Sequence, residues 1–216
     1  MAHDDLAGLA VGHLGDLLGD VAIAGAVGAV LTDVQLVANI LGKGVGLGDL
    51  GELVANEGPL DLHVAFGCVL EACEAGAEAN AARIVHRGLK PANLFLANQP
   101  GGGKMIKVLD FGISKIRGSS TVQTQDTQML GTPQYMAPEQ ATGRHHAVDG
   151  RTDVFALGAV VFEMLTGQAA FGGTTIPEVV FKVVFEPAPS VASFVPGVPA
   201  NVVAAIDRAL EKKVDD

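Results

Sequence analysis

The stretch from Ile84 to Gly112, IVHRGLKPANLFLANQPGGGKMIKVLDFG, limits what this chain can fold into more than any other. It holds two short polar clusters, each joined to an apolar run. His86-Arg87-Gly88-Leu89-Lys90-Pro91-Ala92-Asn93 leads into Leu94-Phe95-Leu96, and Ile106-Lys107-Val108-Leu109 leads into Asp110-Phe111-Gly112. Between them, Asn98-Gln99-Pro100-Gly101-Gly102-Gly103 reads only as a turn. The pattern predicts loop, strand, turn, strand, loop. Such a hairpin brings Asn93 and Asp110 to one end, the end away from the turn. An amide oxygen and a carboxylate held together are hard ligands suited to Mg²⁺. Lys90, three residues before Asn93, adds a positive charge suited to a phosphate. Gly101-Gly102-Gly103-Lys104 is not itself a phosphate loop, because the upstream glycine spacing and the following Ser or Thr are missing.

These residues resemble a known family. HRGLKPAN is similar to the catalytic loop H-R-D-L-K-P-x-N of serine/threonine protein kinases, and DFG matches their magnesium motif. Gly131-Thr132-Pro133-Gln134-Tyr135-Met136-Ala137-Pro138-Glu139 resembles the end of the kinase activation segment. The order of the three motifs makes the signal specific. One departure stands out: Gly88 occupies the place of the family's catalytic aspartate. The resemblance, to the C-terminal lobe of bacterial eukaryotic-like kinases, covers Asp49 to Asp216. It implies an α+β, protein-kinase-like fold, a mainly α-helical C-lobe with a short β-hairpin carrying the catalytic and DFG loops.

The resemblance also implies ATP and Mg²⁺ as cofactors. Asn93 and Asp110 would hold the metal, Lys90 would meet the transferred phosphate, and Phe95 would lie at the nucleotide. Thr132 would serve the substrate loop. His86, Phe111 and Gly112 would link the loops to a buried helix, and Asp153 would hold the catalytic-loop backbone from the start of that helix. Ser119, Ser120, Thr121, Thr124 and Thr127 lie in a polar run that reads as a flexible loop. By resemblance they are phosphorylatable positions of an activation loop, with Arg87 as the cation for an added phosphate. The tyrosine-containing GTPQYMAPE points to a Ser/Thr rather than a tyrosine kinase, again by resemblance.

Charge divides the chain of 216 residues. Met1 to Ala82 carries twelve Asp/Glu and one Lys, Lys43, whereas the rest carries twelve Asp/Glu and thirteen Lys/Arg. The overall net charge of −10 argues against nucleic acid and anionic membrane as partners. Residues 1–46 are a loose mixture of Gly, Ala, Val, Leu and Asp without a clean period of two or 3.6. A kinase N-lobe needs a glycine-rich loop, a strand lysine and a helix glutamate. Gly12, Gly15 and Gly19 lack the spacing, Val21-Ala22-Ile23-Ala24 has Ala24 where the lysine belongs, and the first Glu is Glu52. The expectation is therefore an aberrant segment over 1–46 and an incomplete C-lobe over 47–216. A shifted reading frame at a gene boundary accounts for the break, and the nucleotide sequence tests it. Val21 to Thr32 is too short to span a bilayer and lacks the basic flank of a signal peptide. Cys68 and Cys73 do not suggest a disulfide. Together these features lead us to expect a cytoplasmic chain with no membrane segment.

Further along, Asp49 to Val54 resembles the short helix after the kinase hinge. Pro59 is expected to open a helix to about Ala82, with Leu62, Phe66, Val69, Leu70, Cys73 and Ala77 as its core face. Val154, Phe155, Leu157, Val160, Val161, Met164 and Leu165 predict a nearly all-apolar central helix ended by Gly167. Pro177 begins another helix, and Pro199 a last one towards Lys213. His145 and His146, beside Asp149 and Asp153, read as a solvated loop rather than a metal site. By resemblance Glu139 needs an arginine from a helix beyond Asp216 and is expected to lack its buried partner.

Three functions follow. The first is a Ser/Thr protein kinase domain acting on protein substrates, impaired because Gly88 removes the acceptor-orienting carboxylate and because N-lobe motifs are missing. The second is a pseudokinase-like module binding a protein partner. The third is a degenerate fragment.

Overall fold

The structure, a computed structural model, describes residues 48–98, 103–110 and 132–213. Strand β1 (Gly48–Asp49) runs directly into helix α1 (Leu50–Glu57). Asp49 caps this helix by accepting the Glu52 amide at 2.9 Å, satisfying one of the donors that a helix start leaves open. Gly58, at φ 79°, ends it. Helix α2 (Leu62–Ala81) begins later than Pro59, because Asp61 supplies its cap through the His63 amide. The Leu60 amide is instead used on the Met164 carbonyl, 2.7 Å away.

Helix α2 packs against two elements, the central helix and the outer strand of the hairpin, so its buried face is wider than one stripe. Ala65, Cys68 and Ala72 are its most buried residues. Of the expected face, Phe66 and Val69 are buried, whereas Leu62, Leu70, Cys73 and Ala77 are only partly covered. Both cysteines are free. Burial, with a nearby glutamate in each case, pushes both thiols up to about 12, which leaves them inert small apolar groups.

The expected hairpin is present. Strands β2 (Leu94–Asn98) and β3 (Lys104–Val108) pair antiparallel from Leu94↔Val108 to Asn98↔Lys104. Strand β1 adds to the other side of β2, with Asp49 opposite Phe95. Two residues are too few to show alternation, so this third strand was not visible in the sequence. Leu94, Leu96 and Ile106 point into the core. The Ile106 amide, on the side of β3 away from β2, donates to Glu71 Oε2 of α2 at 2.5 Å.

Beyond the hairpin, the four-residue helix α3 (Pro138–Ala141) precedes the central helix α4 (Gly150–Thr166). Asp149 caps α4, and Gly167 closes it in the left-handed conformation at φ 70°. Phe155, Leu157, Val160, Val161, Phe162, Met164 and Leu165 are buried, and Val154 is half-buried. Each fully buried side chain of this size contributes roughly 1.5–3 kcal/mol. A Cβ on Gly158 would stand 2.9 Å from the Ala209 Cβ, so glycine sets how closely the last helix approaches. That helix, α6 (Ala200–Ala209), follows α5 (Ile176–Phe185), which Thr175 caps. The chain leaves helix α6 at Leu210, short of Lys213. Lys212 instead sits over the Phe171 ring, 3.6 Å from its centroid, and 5.4 Å from that of Phe155. Burial there lowers its pKa to about 8.

Glu139 of α3 is 4 % exposed, and the expectation that it lacks a buried partner is corrected. Thr152 of α4 donates its hydroxyl to Glu139 Oε1 at 2.6 Å. The partner is a hydroxyl from the first turn of the central helix, not the arginine that the resemblance implies. Among the described residues no buried side-chain nitrogen or oxygen lacks a hydrogen-bond partner, and no helix is long and apolar enough to cross a membrane.

Two stability measurements test this packing. Thr152→Val keeps the shape but removes the donor, and should lower the unfolding free energy in urea by ~1–3 kcal/mol; an unchanged value would contradict the assigned bond. Glu71 gives a pH test. Burial raises its carboxyl above the usual glutamate range, against the Ile106 amide that favours the charge. The folded chain therefore holds the proton more tightly than the unfolded chain. The contribution is intact below the ordinary glutamate pKa and is lost as pH rises through the raised one. Glu71→Gln keeps an acceptor for Ile106 and removes that loss. Its melting temperature should exceed that of the parent chain at about pH 8 and converge with it near about pH 4. A difference independent of pH would refute the assignment.

Candidate active site

The two polar clusters of the sequence meet at one end of the hairpin. The Leu109 amide donates to the Asn93 carbonyl at 2.8 Å, which sets Asp110 one residue beyond the rung opposite Asn93. Asn93 itself is buried, on a short 3-10 turn (Pro91–Asn93) entering β2. Its Nδ2 donates to the Gly88 carbonyl at 2.9 Å. The Gly88 amide donates to His86 Nδ1 at 3.2 Å. A backbone amide can only donate, so Nδ1 accepts, and the ring proton sits on Nε2. His86 Nε2 then donates to the Leu109 carbonyl at 2.9 Å. Gly88, His86, Leu109 and Asn93 thus close a ring of four hydrogen bonds joining the two clusters.

Asp153, in the first turn of α4, holds this ring from the core side. Its Oδ2 accepts the His86 amide and its Oδ1 the Arg87 amide, both at 2.8 Å. Burial raises the Asp153 carboxyl, opposed by these two amides and by the charge of Arg87. The grip has a backbone cost to offset. Arg87 adopts φ 62° and Asp110 φ 57°, left-handed conformations that cost a non-glycine residue roughly 1–2 kcal/mol. These two flank the ring, and a third left-handed residue, Arg83 at φ 59°, follows the end of α2.

The remaining predicted residues differ in exposure. Gly88 is exposed, and a Cβ built on it meets nothing closer than His86 Nδ1 at 3.8 Å. Glycine is therefore not required there by space. Lys90 and Phe95 are half-buried, Asp110 and Thr132 are exposed, and Arg87 is half-buried. Thr132 leads into the 3-10 turn Pro133–Tyr135, and Glu139 lies further on in α3, paired with Thr152. Phe111, Gly112, Ser119, Ser120, Thr121, Thr124 and Thr127 lie outside the described residues, as does the segment 1–46. His145 and His146 sit on the turn His145–Ala147. Among the described residues no group of three or more His, Cys, Asp or Glu side chains is placed to hold a metal ion.

Asn93 commits its nitrogen to Gly88, which turns its oxygen elsewhere. Its amide oxygen and the Asp110 carboxylate are the hard donor types expected from the sequence to suit Mg²⁺. Sequence reasoning missed several contacts that shape the surroundings. Tyr135 donates its hydroxyl to Glu163 Oε2 of α4 at 2.5 Å, and burial, with this bond, raises the tyrosine pKa. The signal was available, since Glu163 is the one charge in α4 beyond its first turn. Gln140, which the sequence does not distinguish, donates to the Arg87 carbonyl at 2.9 Å.

Comparison with known proteins places this geometry. Residues 34–194 match the family model described as protein kinase domain, a stretch that begins inside the segment 1–46. The chain is 40 % identical over 158 residues to serine/threonine-protein kinase Pkn1 of Myxococcus xanthus, covering 73 % of this chain and 22 % of that protein. It is 36 % identical over 169 residues to serine/threonine-protein kinase PknB of Mycobacterium tuberculosis, covering 77 % and 26 %. A probable serine/threonine-protein kinase PknB of Corynebacterium glutamicum is 34 % identical over 173 residues, covering 78 % and 26 %. The chain spans about a quarter of the length of these relatives. Since the matched stretch takes in more than half of the chain, including the hydrogen-bonded ring and the helix that holds it, the chain belongs to the protein kinase domain family.

Proposed function

We propose that residues 47–216 are the C-lobe of a serine/threonine protein kinase domain in which phosphoryl transfer from ATP is lost or very weak. Phosphoryl transfer depends on positioning and electrostatics. Asn93 and Asp110 would hold Mg²⁺, which when bound neutralises charge on the phosphate oxygens. Lys90 would meet the transferred phosphate, Phe95 would lie at the nucleotide, and Thr132 would face the protein substrate. His86, Phe111, Gly112 and Asp153 keep the loops in place. Ser119, Ser120, Thr121, Thr124 and Thr127 are candidate phosphorylation sites, with Arg87 as the cation for an added phosphate. Cytoplasmic location is part of this reading.

One observation carries the impairment. At Gly88, where the family places its catalytic aspartate, the chain has an exposed backbone with room for a side chain and no carboxylate. Nothing there can orient an acceptor hydroxyl or take its proton, a role typically worth ~10²–10⁴-fold. The segment 1–46 also lacks the glycine loop and the lysine–glutamate pair. These losses act on one constellation and do not simply multiply. A second reading, a pseudokinase-like module that binds a protein partner, is favoured by α5, where Phe181 and Phe185 are 53 % and 70 % exposed with their rings 5.1 Å apart.

The purified chain should unfold cooperatively, and ATP with Mg²⁺ should leave the midpoint unchanged. A functional nucleotide site at 100 times its dissociation constant would add ~2.7 kcal/mol, so a shifted midpoint would overturn the expectation, and absence of any transition would mark a degenerate fragment. Gly88→Asp should still give no ATP-dependent phosphorylation of a protein substrate. Activity in that variant would show that the segment 1–46 can serve as an N-lobe. Activity in the unmodified chain would overturn the argument from Gly88.

A further inference from the structure

The peptide unit between Arg87 and Gly88 is hydrogen-bonded at both its N–H and its C=O. Its N–H, from Gly88, donates to His86 Nδ1 at 3.2 Å. Its C=O, from Arg87, accepts from Gln140 Nε2 at 2.9 Å. Arg87 is one of the strained residues, at φ 62°, and Gly88 brings no side chain to restrict rotation of the same peptide. A unit bordered by a strained residue on one side and a glycine on the other needs external bonds to keep one orientation. Asp153 holds only the preceding peptide, through the Arg87 amide, and His86 Nδ1 takes the N–H of this one. Gln140 supplies the bond on the carbonyl.

Gln140 is also fixed at its other end. Its Oε1 accepts the Ala137 amide at 3.1 Å, at the start of α3, whose Glu139 is tied to α4 through Thr152. With Oε1 accepting, Nε2 is left as the donor, so the amide is oriented by chemistry rather than by assignment. One half-buried side chain thus bridges the segment Thr132–Ala141 to the loop His86–Asn93.

We propose that Gln140 is a positioning residue that fixes the orientation of the Arg87–Gly88 peptide, and through it the His86 ring, the Leu109 carbonyl and the approach to Asp110. Polarisation runs in one direction along this path. The Gln140 donor polarises the peptide and strengthens its N–H as a donor to His86 Nδ1, which sharpens the preference for the proton on Nε2 and the bond to Leu109. The segment that precedes α3 therefore has a physical line to the metal-ligand end of the hairpin. This inference rests on reading His86–Asn93 as the catalytic loop, but its readout does not require phosphoryl transfer.

The test is amide exchange and ¹⁵N NMR on the full chain. Gln140→Glu keeps an acceptor for Ala137 and replaces the donor to Arg87 by a second acceptor. Gln140→Leu removes both bonds. In both variants the Gly88 amide should change its resonance and exchange about two- to tenfold faster, the range set by a net hydrogen bond. The His86 ring nitrogens should move away from the pure Nε2-protonated signature. The Val160 and Phe162 amides of α4 should keep their protection, and Ala137 should exchange faster only in Gln140→Leu. An unchanged Gly88 amide and unchanged His86 nitrogens would overturn the proposal. So would a uniform acceleration at all amides, which is global destabilisation. If Gln140→Leu does not fold, Gln140→Glu alone decides.

Discussion

A single carboxylate carries the arrangement. Asp153 accepts two consecutive amides, His86 and Arg87, each at 2.8 Å. Two hydrogen bonds to one half-buried carboxylate are stronger than their neutral counterparts. They offset the left-handed backbone at Arg87 and fix where the loop leaves the core. Asp153 can do this because it sits in the first turn of a helix that is buried along most of its length. The hydrophobic burial of α4 and the geometry of the polar loop are therefore one problem. Loosening α4 would move the carboxylate, and the ring of bonds through Gly88, His86, Leu109 and Asn93 would lose its anchor.

The polar bonds that cross between elements follow one pattern. Three polar side chains on the packed faces of helices meet a partner from a different element: Glu71 with the Ile106 amide, Thr152 with Glu139, and Glu163 with Tyr135. An unpaired polar atom in these places would be costly, so each bond specifies which elements may pack together as well as stabilising them. The large apolar contacts tolerate small slides. These bonds do not, and they set the register between α2 and the hairpin and between α3 and α4.

Much of this was legible in the sequence, and the legible parts share a cause. The hairpin showed because apolar runs stood on either side of a Pro-Gly-rich turn. Helix α4 showed because its apolar residues run almost unbroken between Asp149 and Gly167. Asn93 and Asp110 could be placed together because hairpin topology alone dictates it. What stayed hidden depends on contacts between distant segments. Strand β1 is too short for a pattern, and α6 ends at Leu210, where no glycine or proline marks a stop. The pairing of Glu139 with Thr152 joins residues that no local rule connects. Gln140 looks like any polar residue in a short helix until the Arg87 carbonyl is seen beside it.

The register of the hairpin has a consequence for how this stretch can change length. Strand β2 sends Leu94 and Leu96 into the core, and its end fixes Asn93 opposite Leu109. Losing one residue inside Leu94–Asn98 would rotate every later side chain to the opposite face and draw Asn93 out of line with Asp110. Residues gained or lost between Asn98 and Lys104 lengthen only the connection, at an entropic cost that grows slowly with length. Length variation in relatives of this chain should therefore concentrate between those two positions and be nearly absent from the strands on either side.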